Sequence, residues 1–362
     1  MTNTYNFCSQ PKCTDGDSPV AGLAPSSDGN FYGTTSGGGA NDNNNCLWGC
    51  GTVFKINPAG KLTTLYSFCE QSSCTDGEGP QAPVVEGSDG NFYGTTEAGG
   101  AKGLGTVFKM TRSGVLTTLY SFCSKANCAD GSLPSGPLVQ GTDGNLYGTT
   151  VRGGTDCGLN GCGTVFRITP RGQLTTLYGF CPEVGCTDGW LPTTGLVQAT
   201  DGNLYGTTLL GGISNCGGYN FGCGTDYKIT PKGALTTLHA FDGTDGDEPS
   251  GLTQSTDGNF YGTTSTGEGP AWYGTVFSIS MGLDPFVTFV RNAGNRKQIG
   301  GILGQGFTGT TGVFLNGTPA SFTVVSDTYI QATVPPGATT GFVTVETPSG
   351  TLRSNVPFYV IR

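Results

Sequence analysis

The sequence predicts an all-β protein with two parts: a five-bladed β-propeller over residues 1–282 and an immunoglobulin-like β-sandwich over residues 283–362. Three observations predict this fold class. An eight-residue phrase recurs five times, the same short apolar segments surround each recurrence, and the repeats stop near Gly282. Short segments rich in β-branched and aromatic residues, separated by Gly-rich turns, are typical of strands, and a fixed period indicates repeated supersecondary units.

Each full repeat contains four apolar segments, which we interpret as four strands. The second segment carries the phrase DGNFYGTT or DGNLYGTT, the third reads GTVFKI or a close variant, and the fourth reads LTTLYSF or a close variant. A shorter apolar segment, such as PLVQ, precedes the phrase. The phrase begins at Asp28, Asp89, Asp143, Asp201 and Asp257, and the stretches of chain around these aspartates are called repeats 1 to 5.

The turns between the segments favour an antiparallel meander. Asp-Gly pairs suit two-residue hairpin loops that need positive φ. The sequence Asn-Pro-Ala-Gly at Asn57 favours another tight turn, because proline presets φ and glycine is permissive. Four-stranded meanders arranged around an axis are the blades of a β-propeller. A β-solenoid is the structural alternative, but its coils are generally shorter than these repeats.

The two ends of the repeat region complement each other. Repeat 5 lacks the LTTLYSF segment, whereas the N-terminus carries an orphan copy at Thr4–Phe7. We therefore expect Thr4–Phe7 to supply the fourth strand of the fifth blade and to close the ring, because closure removes exposed sheet edges. The same strand could instead come from a neighbouring molecule.

The residues after Gly282 have a different composition. They contain no cysteine and no further copy of the repeat, and segments such as SFTVV, YIQATV and GFVTVET alternate apolar and polar residues. This pattern and its length fit a small antiparallel sandwich of immunoglobulin type.

Both parts resemble known families. The phrases DGNFYGTT, GTVFKI and LTTLYSFC resemble the GloVer tandem repeats of bacterial surface proteins, which are attached by a choice of anchors. The segment from Ile302 to Val360 is similar to an IPT/TIG domain. These resemblances imply an extracellular or cell-surface bacterial protein, and they carry over no catalytic residue.

The fourteen cysteines fall into pairs that are close in sequence. Repeat 2 lacks both members of the pair between its middle strands, and repeat 5 lacks both members everywhere, so cysteines appear and vanish as couples. This predicts disulfides and an oxidising compartment. Zinc is the alternative, but four ligands must converge and the chain has one histidine. The predicted pairs are Cys8 with Cys13, Cys46 with Cys50, Cys69 with Cys74, Cys123 with Cys128, Cys157 with Cys162, Cys181 with Cys186 and Cys216 with Cys223.

The charge balance argues against nucleic-acid partners and membrane insertion. The chain has 17 Lys and Arg against 26 Asp and Glu, for a formal net charge of −9, so it has little from which to build a phosphate-binding surface. No stretch approaches the roughly 20 consecutive apolar residues of a membrane helix. The first residues lack a signal region, so we expect a secreted chain whose signal peptide is removed or not shown.

The long loops and the cysteine pairs are predicted to share one end of the propeller, with the tight turns at the other end. The three tryptophans and two further aromatics map to the loop end, which we expect to be the interaction face. These rings could equally cover loop backbone, and a ligand could be a sugar or another copy of the chain. The predicted binding residues are Trp48, Trp190, Tyr219, Phe221 and Trp272.

The loop between repeats 4 and 5 has no cysteine pair and is crowded with acids. A calcium ion could replace the missing disulfide there, because oxygen ligands at close spacing suit that ion. A solvated acidic loop is the alternative. The predicted ligands are Asp242, Asp245, Asp247 and Glu248, and we expect no other cofactor.

Catalytic motifs are weak in this sequence. The aspartates of the phrase recur in turns, which predicts a structural role. The one histidine, His239, stands where repeats 1 to 3 carry tyrosine, so we expect it to pack rather than to act as a general base. A glycosidase-type pair of carboxylates remains an alternative, although no spacing singles out two acids.

The best interpretation is a non-catalytic, secreted or cell-surface protein with a structural or adhesive role, which includes self-assembly into an extracellular filament or surface layer. A lectin-like carbohydrate-binding propeller is the first alternative, and a glycoside hydrolase or lyase on a propeller scaffold is the second. The expected partners are other copies of the chain, cell-surface or matrix components, or glycans.

Overall fold

A computed structural model of the chain describes residues 3–26, 28–41, 46, 49–154, 161–182, 185–213, 216, 221–267 and 273–361. The described chain is all-β, with short 3-10 helices at Pro11–Cys13, Ser72–Cys74 and Ala126–Cys128. None of the described helices is long and apolar enough to cross a membrane. The chain divides into two compact units, and the first comprises Met1–Gln198, Gly202–Leu252 and Gly262–Phe277.

Every repeat forms its own antiparallel sheet, with the strands in sequence order. The predicted four-stranded meander is therefore confirmed for repeats 1 to 4, whereas the sheet of repeat 5 has three strands. The strands are β1 Ala24–Pro25, β2 Phe31–Thr35, β3 Thr52–Ile56 and β4 Leu62–Ser67 in repeat 1; β5 Val85–Glu86, β6 Phe92–Thr96, β7 Thr106–Met110 and β8 Leu116–Ser121 in repeat 2; β9 Val139–Gln140, β10 Leu146–Thr150, β11 Thr164–Ile168 and β12 Leu174–Gly179 in repeat 3; β13 Val197–Gln198, β14 Leu204–Thr208, β15 Thr225–Ile229 and β16 Leu235–Ala240 in repeat 4; and β17 Asp247–Gln254, β18 Phe260–Thr266 and β19 Val276–Ile279 in repeat 5.

A pair of threonine hydroxyls joins the two middle strands of every sheet. The last threonine of the DGNFYGTT phrase hydrogen-bonds the threonine of the GTVFKI segment across the ladder, at an Oγ1 to Oγ1 distance of 2.8 Å in all five repeats. Both hydroxyls are buried in repeats 1 to 4. Because a buried hydroxyl needs a partner, this pair fixes the register and explains why both segments carry threonine.

The glycine of the phrase makes room for an aromatic ring. In repeat 1, Gly33 lies opposite Phe54, and a Cβ on Gly33 would stand 2.5 Å from Cζ of that ring. The ring therefore lies against the strand at a position that a larger residue could not occupy without displacing it.

The aspartate of the phrase shapes the hairpin turn, as the sequence predicts. In repeat 2, Asp89 accepts hydrogen bonds from the Asn91 amide (3.1 Å) and from the Tyr93 hydroxyl (2.8 Å). Burial would raise the pKa of Asp89, but these bonds and the Lys109 ammonium outweigh burial and hold the pKa well below its usual range.

Aromatic rings link consecutive repeats. The phenylalanine that ends each LTTLYSF segment packs edge-on against the aromatic residue of the next GTVFKI segment, with ring centroids 5.1 to 5.2 Å apart. The four ring pairs are Phe68 with Phe108, Phe122 with Phe166, Phe180 with Tyr227, and Phe241 with Phe277.

The N-terminal segment lies in a different place from the one predicted. Among the described residues, Thr4–Phe7 forms no strand and does not belong to the sheet of repeat 5. Phe7 packs on Phe54 of repeat 1, with centroids 5.0 Å apart, which is the contact that Phe68 makes with repeat 2. The prediction that this segment closes the fifth sheet is therefore wrong. The segment packs on repeat 1 through the ring of Phe7, and this contact requires no pairing with β19.

The second compact unit comprises Ala199–Asp201, Thr253–Tyr261 and Ser278–Arg362. Its C-terminal part contains two four-stranded antiparallel sheets and a two-stranded parallel ladder, β21 with β29. Buried apolar residues that include Val287, Phe307 and Ile330 form one core. The strands are β20 Thr288–Phe289, β21 Ala293–Asn295, β22 Ile299–Leu303, β23 Gly312–Leu315, β24 Thr318–Pro319, β25 Phe322–Ser326, β26 Tyr329–Thr333, β27 Val343–Thr347, β28 Gly350–Arg353 and β29 Tyr359–Ile361, in sheets of order β20-β22-β26-β25 and β24-β23-β27-β28.

Candidate functional site

The cysteines of the described residues are disulfide-bonded. Six of the predicted pairs are present, and Cys162 is bonded as well, with its predicted partner Cys157 outside the described residues. The two sets of metal-type ligands that cluster within 4.8 Å in the described chain consist of these bonded cysteines. The confirmed pairs are Cys8–Cys13, Cys46–Cys50, Cys69–Cys74, Cys123–Cys128, Cys181–Cys186 and Cys216–Cys223.

An aspartate anchors the disulfide loop that follows the LTTLYSF segment in repeats 1 to 3, and this aspartate is buried after repeats 1 and 2. In the loop after repeat 2, Asp130 accepts hydrogen bonds from the Tyr120 hydroxyl (2.7 Å) and from the amides of Ser124 (2.9 Å) and Lys125 (3.1 Å). Burial alone would raise the pKa of Asp130, but these three bonds and a fourth from the Ser124 hydroxyl (2.9 Å) lower it below its usual value. Tyr66 and Asp76 form the same pair after repeat 1, at 2.8 Å.

The loop after repeat 4 has a different chemistry. His239 replaces the tyrosine, and its Nε2 lies 2.5 Å from Asp245 Oδ2. Across the ladder from His239 stands Asp226, where repeats 1 to 3 have valine. Asp226 is 0% exposed, and neither of its carboxylate oxygens has a hydrogen-bond partner in the described chain. Burial and the charge of Asp245 raise the pKa of Asp226 to about 8.

The four predicted calcium ligands are not brought together. Asp242 accepts hydrogen bonds from the Thr244 amide (2.8 Å) and hydroxyl (2.6 Å), and Asp245 is paired with His239. Asp247 is buried at the start of β17, and Glu248 follows it with a φ of 54°. Among the described residues, no set of ligand atoms within 4.8 Å includes any of these acids. Asp226 is not among the site residues predicted from the sequence, although the change from GTVFKI to GTDYKI marks its position.

Two of the predicted binding aromatics lie side by side. Trp190 and Phe221 form an edge-on pair with centroids 5.7 Å apart. Phe221 is exposed, whereas Trp190 is partly buried against the core between repeats 3 and 4. Trp48, Tyr219 and Trp272 lie outside the described residues.

Each junction between consecutive repeats joins two complementary faces. We call the side of a repeat that packs on the next repeat its trailing face, and the side that packs on the preceding repeat its leading face. Between repeats 1 and 2, the trailing face supplies Tyr32 and Val53, and the leading face supplies Val84, Phe92 and Phe108. The corresponding residues form the cores between repeats 2 and 3 and between repeats 3 and 4.

Among the described residues, some side chains of the first leading face and of the last trailing face are much more exposed than their counterparts at the internal junctions. Leu23 of repeat 1 corresponds to Val84 but is 50% exposed, whereas Val84 is buried. Val276 of repeat 5 corresponds to Val53 but is 79% exposed, and Tyr261 corresponds to Tyr32 but is 42% exposed. Leu23, Tyr261 and Val276 are therefore exposed at the two ends of the repeat series, whereas Phe54, the counterpart of Phe108, is buried and has Phe7 packed on it.

A family model for the Gloeobacter/Verrucomicrobia repeat matches residues 1–220. The chain belongs to this repeat family. The match covers the first four copies of the phrase and ends before the fifth, which begins at Asp257. It also ends before the C-terminal residues, whose similarity to an IPT/TIG domain stays a prediction. No protein of curated function matches the chain.

Several solved structures are similar to parts of this repeat protein. A putative gluconolactonase has 15% sequence identity and a TM-score of 0.38 over 78% of this chain and 80% of that chain. A luciferin-regenerating enzyme has 11% identity and a TM-score of 0.45 over 75% of this chain and 80% of that chain. PorZ, a surface component of the type-IX secretion system of Porphyromonas gingivalis, has 15% identity and a TM-score of 0.38 over 94% of this chain and 51% of that chain. At these scores the likenesses carry no argument about activity.

Proposed function

We propose that this repeat protein is a non-catalytic, secreted or cell-surface structural protein that assembles head to tail with further copies of itself. In this proposal the five repeat sheets are propeller-type blades, and residues 283–362 form an immunoglobulin-like domain of the IPT/TIG type. The observation that carries the proposal is the exposure of two complementary apolar faces, the leading face of repeat 1 and the trailing face of repeat 5.

The internal junctions are the precedent for the contact between copies. At the junctions between repeats 1 and 2, 2 and 3, and 3 and 4, the valine and tyrosine of the trailing face and the leucine or valine of the leading face are buried. Val276 and Leu23 belong to the same two faces but remain exposed within one chain, so a second copy is the partner that matches them. Burying each large apolar side chain contributes about 1.5–3 kcal/mol.

The N-terminal segment fits the same junction. Within the chain, each LTTLYSF segment is the fourth strand of its own sheet and also packs its phenylalanine on the next repeat. Thr4–Phe7 already makes the second contact, because Phe7 packs on Phe54. In the assembly, Thr4–Phe7 of one copy lies beside β19 of the preceding copy and adds the fourth strand to its three-stranded sheet. Since this contact joins two different surfaces, it repeats from copy to copy and produces a filament unless the rotation closes a ring.

The disulfides support an extracellular location. Small disulfide-closed loops persist in oxidising compartments and are reduced in the cytosol. In the described chain, the Cys69–Cys74 and Cys123–Cys128 bonds close loops between repeats, beside the buried aspartates Asp76 and Asp130. A stapled repeat protein of this kind is suited to a durable surface structure.

The proposal is tested by measuring whether the purified full chain assembles, with light scattering over a range of concentrations and with negative-stain electron microscopy. Val276→Asp blocks the trailing face and Leu23→Asp blocks the leading face. We expect the wild-type chain to form growing oligomers and each variant to remain monomeric. Mixing the two variants should give a heterodimer, because one free face of each kind remains.

The matched control is Val115→Asp, which adds the same charge at a valine that is 62% exposed in a turn of repeat 2. It should assemble like the wild-type chain. A wild-type chain that stays monomeric at high concentration, or a Val276→Asp variant that assembles normally, would refute the proposal.

A further inference from the structure

Repeat 4 differs from repeat 3 at three positions at a single place in the fold, where repeat 3 carries a valine, a tyrosine and a cysteine. In repeat 3, Val165 lies opposite Tyr178, and the following loop is closed by the Cys181–Cys186 disulfide. In repeat 4, Asp226 lies opposite His239 in the same register, and Asp242 stands where the first cysteine of that loop would be. The three changes occur together, and each introduces a side chain that can bind a metal ion.

Of the three changed residues, Asp226 is the one whose burial the surrounding contacts do not explain. Its carboxylate is fully buried and has no hydrogen-bond partner in the described chain. An isolated buried carboxylate is costly unless it is paired, protonated or bound to a metal. Its pKa of about 8 means that it holds a proton at neutral pH, which removes the charge but leaves both oxygens without a partner.

The groups beside Asp226 are suitable ligands. His239 is the residue opposite Asp226 in the ladder, and the charge of Asp245 acts on Asp226. The side chains of His239 and Asp245 are 43% and 39% exposed, so an ion has access from solvent. In the described structure the donor atoms of these three residues do not lie within 4.8 Å of one another. The two exposed side chains would therefore turn towards Asp226 on binding.

We propose that Asp226, His239 and Asp245 form a binding site for a divalent transition-metal cation, with zinc as the best match, at the position where repeats 1 to 3 carry a disulfide-closed loop. One imidazole nitrogen and two carboxylates are ligands typical of zinc, whereas calcium prefers oxygen ligands alone. The ion gives the buried oxygens of Asp226 a partner and links the loop after repeat 4 to β15 and β16. This assignment differs from the calcium site predicted from the acidic loop, because it depends on Asp226 and His239.

The test is a calorimetric titration of the tag-free, EDTA-treated full chain with Zn²⁺, and separately with Ca²⁺, at pH 7. We expect one Zn²⁺ per chain and the release of a proton, which titrations in buffers of different ionisation enthalpy will measure. Asp226→Val restores the residue of repeats 1 to 3, so it should fold well and bind Zn²⁺ at least about tenfold more weakly. His239→Tyr, which restores the other sister residue, should have a similar effect.

Asp284→Asn is the control, because it removes one exposed acid outside the cluster and should leave Zn²⁺ affinity unchanged. Absence of Zn²⁺ binding, or binding that Asp226→Val does not weaken, would overturn the proposal. Calcium binding that survives His239→Tyr would overturn the assignment of a transition metal.

Discussion

Repeats 3 and 4 have the same strands in the same register but differ in what fills the space beside their third and fourth strands. In both repeats, the ladder between the third and fourth strands contains a bulge. The bulge directly follows the pair Val165 with Tyr178 in repeat 3 and the pair Asp226 with His239 in repeat 4. Repeat 3 surrounds this pair with apolar residues and disulfide sulfur. Repeat 4 buries a carboxylate at the same point.

The contacts that fix the strand register are the same in repeats 3 and 4, although the residues beside the bulge differ. The threonine pair across the middle strands has the same length in both repeats, 2.8 Å. An aromatic ring lies over a glycine in both, Phe166 over Gly148 and Tyr227 over Gly206. These contacts fix the register, and the residues beside the bulge can therefore change without altering the ladder.

The largest effect is expected from giving repeat 3 the acid of repeat 4. Val165→Asp places a carboxylate in a pocket that has no histidine opposite it and is closed by the Cys181–Cys186 disulfide. An unpaired buried charge typically costs about 3–5 kcal/mol. We expect the free energy of unfolding to fall by about this amount, measured by urea unfolding with the disulfides intact.

The neutral variant Val165→Asn and the exposed variant Val115→Asp are the controls. Val165→Asn should lower the free energy of unfolding by less than Val165→Asp does. Val115→Asp should change it little, because Val115 faces solvent. Equal losses for Val165→Asp and Val115→Asp would mean that the surroundings of the two positions do not differ as the structure indicates.

The reverse exchange, which gives repeat 4 the valine of repeat 3, is expected to raise the free energy of unfolding by a smaller amount. Asp226→Val gives repeat 4 the residue of repeat 3 and removes a buried carboxylate that has no hydrogen-bond partner among the described residues. We expect the metal-free chain to gain about 2 kcal/mol at pH 4, near the ordinary pKa of an aspartate, because a buried unsatisfied polar group costs about 1–3 kcal/mol. Urea unfolding in EDTA measures the change.

The pH dependence of this gain follows from the raised pKa. Folding raises the pKa of Asp226 from its ordinary value of 3.8 to about 8. Between these values the folded chain holds a proton that the unfolded chain has lost, so the stability contributed by Asp226 falls as pH rises, by at most about 1.4 kcal/mol per pH unit. The advantage of Asp226→Val should therefore grow from pH 4 to pH 8. Parallel stability curves for the two chains would contradict a buried proton at Asp226.

Much of the fold could be predicted from the sequence, because its contacts are local. The aspartate turns, the strands and the disulfide pairs each depend on residues that are close in the chain, and the recurring phrases carry all of them. Asp226 was missed for the same reason. Its segment still reads as a strand, and only its position opposite His239 and beside Asp245 shows that a carboxylate is buried without a partner.

The closure of the repeat series could not be predicted in this way. Thr4–Phe7 matches the LTTLYSF segment, and its Phe7 makes the expected contact with repeat 1. Whether the same segment also reaches β19 depends on the small rotations between successive sheets, added over the whole series, and no single phrase encodes their sum. The exposure of Val276 and Leu23 is therefore information that only the structure provides.

The smallest expected effect tests whether the two repeats differ in the threonine pair itself. Thr225 Oγ1 of repeat 4 pairs with Thr208 and also donates to the backbone carbonyl of Asp188 (3.2 Å), a bond with no counterpart at Thr164 among the described contacts. A hydrogen bond contributes about 1 kcal/mol to stability. We therefore expect Thr164→Val to lower the free energy of unfolding by about 1 kcal/mol, and Thr225→Val to lower it by about 0.5–1 kcal/mol more. Urea midpoints measured at a common slope would resolve this difference. Equal costs would mean that the bond to the loop before repeat 4 contributes nothing, and that repeats 3 and 4 differ only beside the bulge.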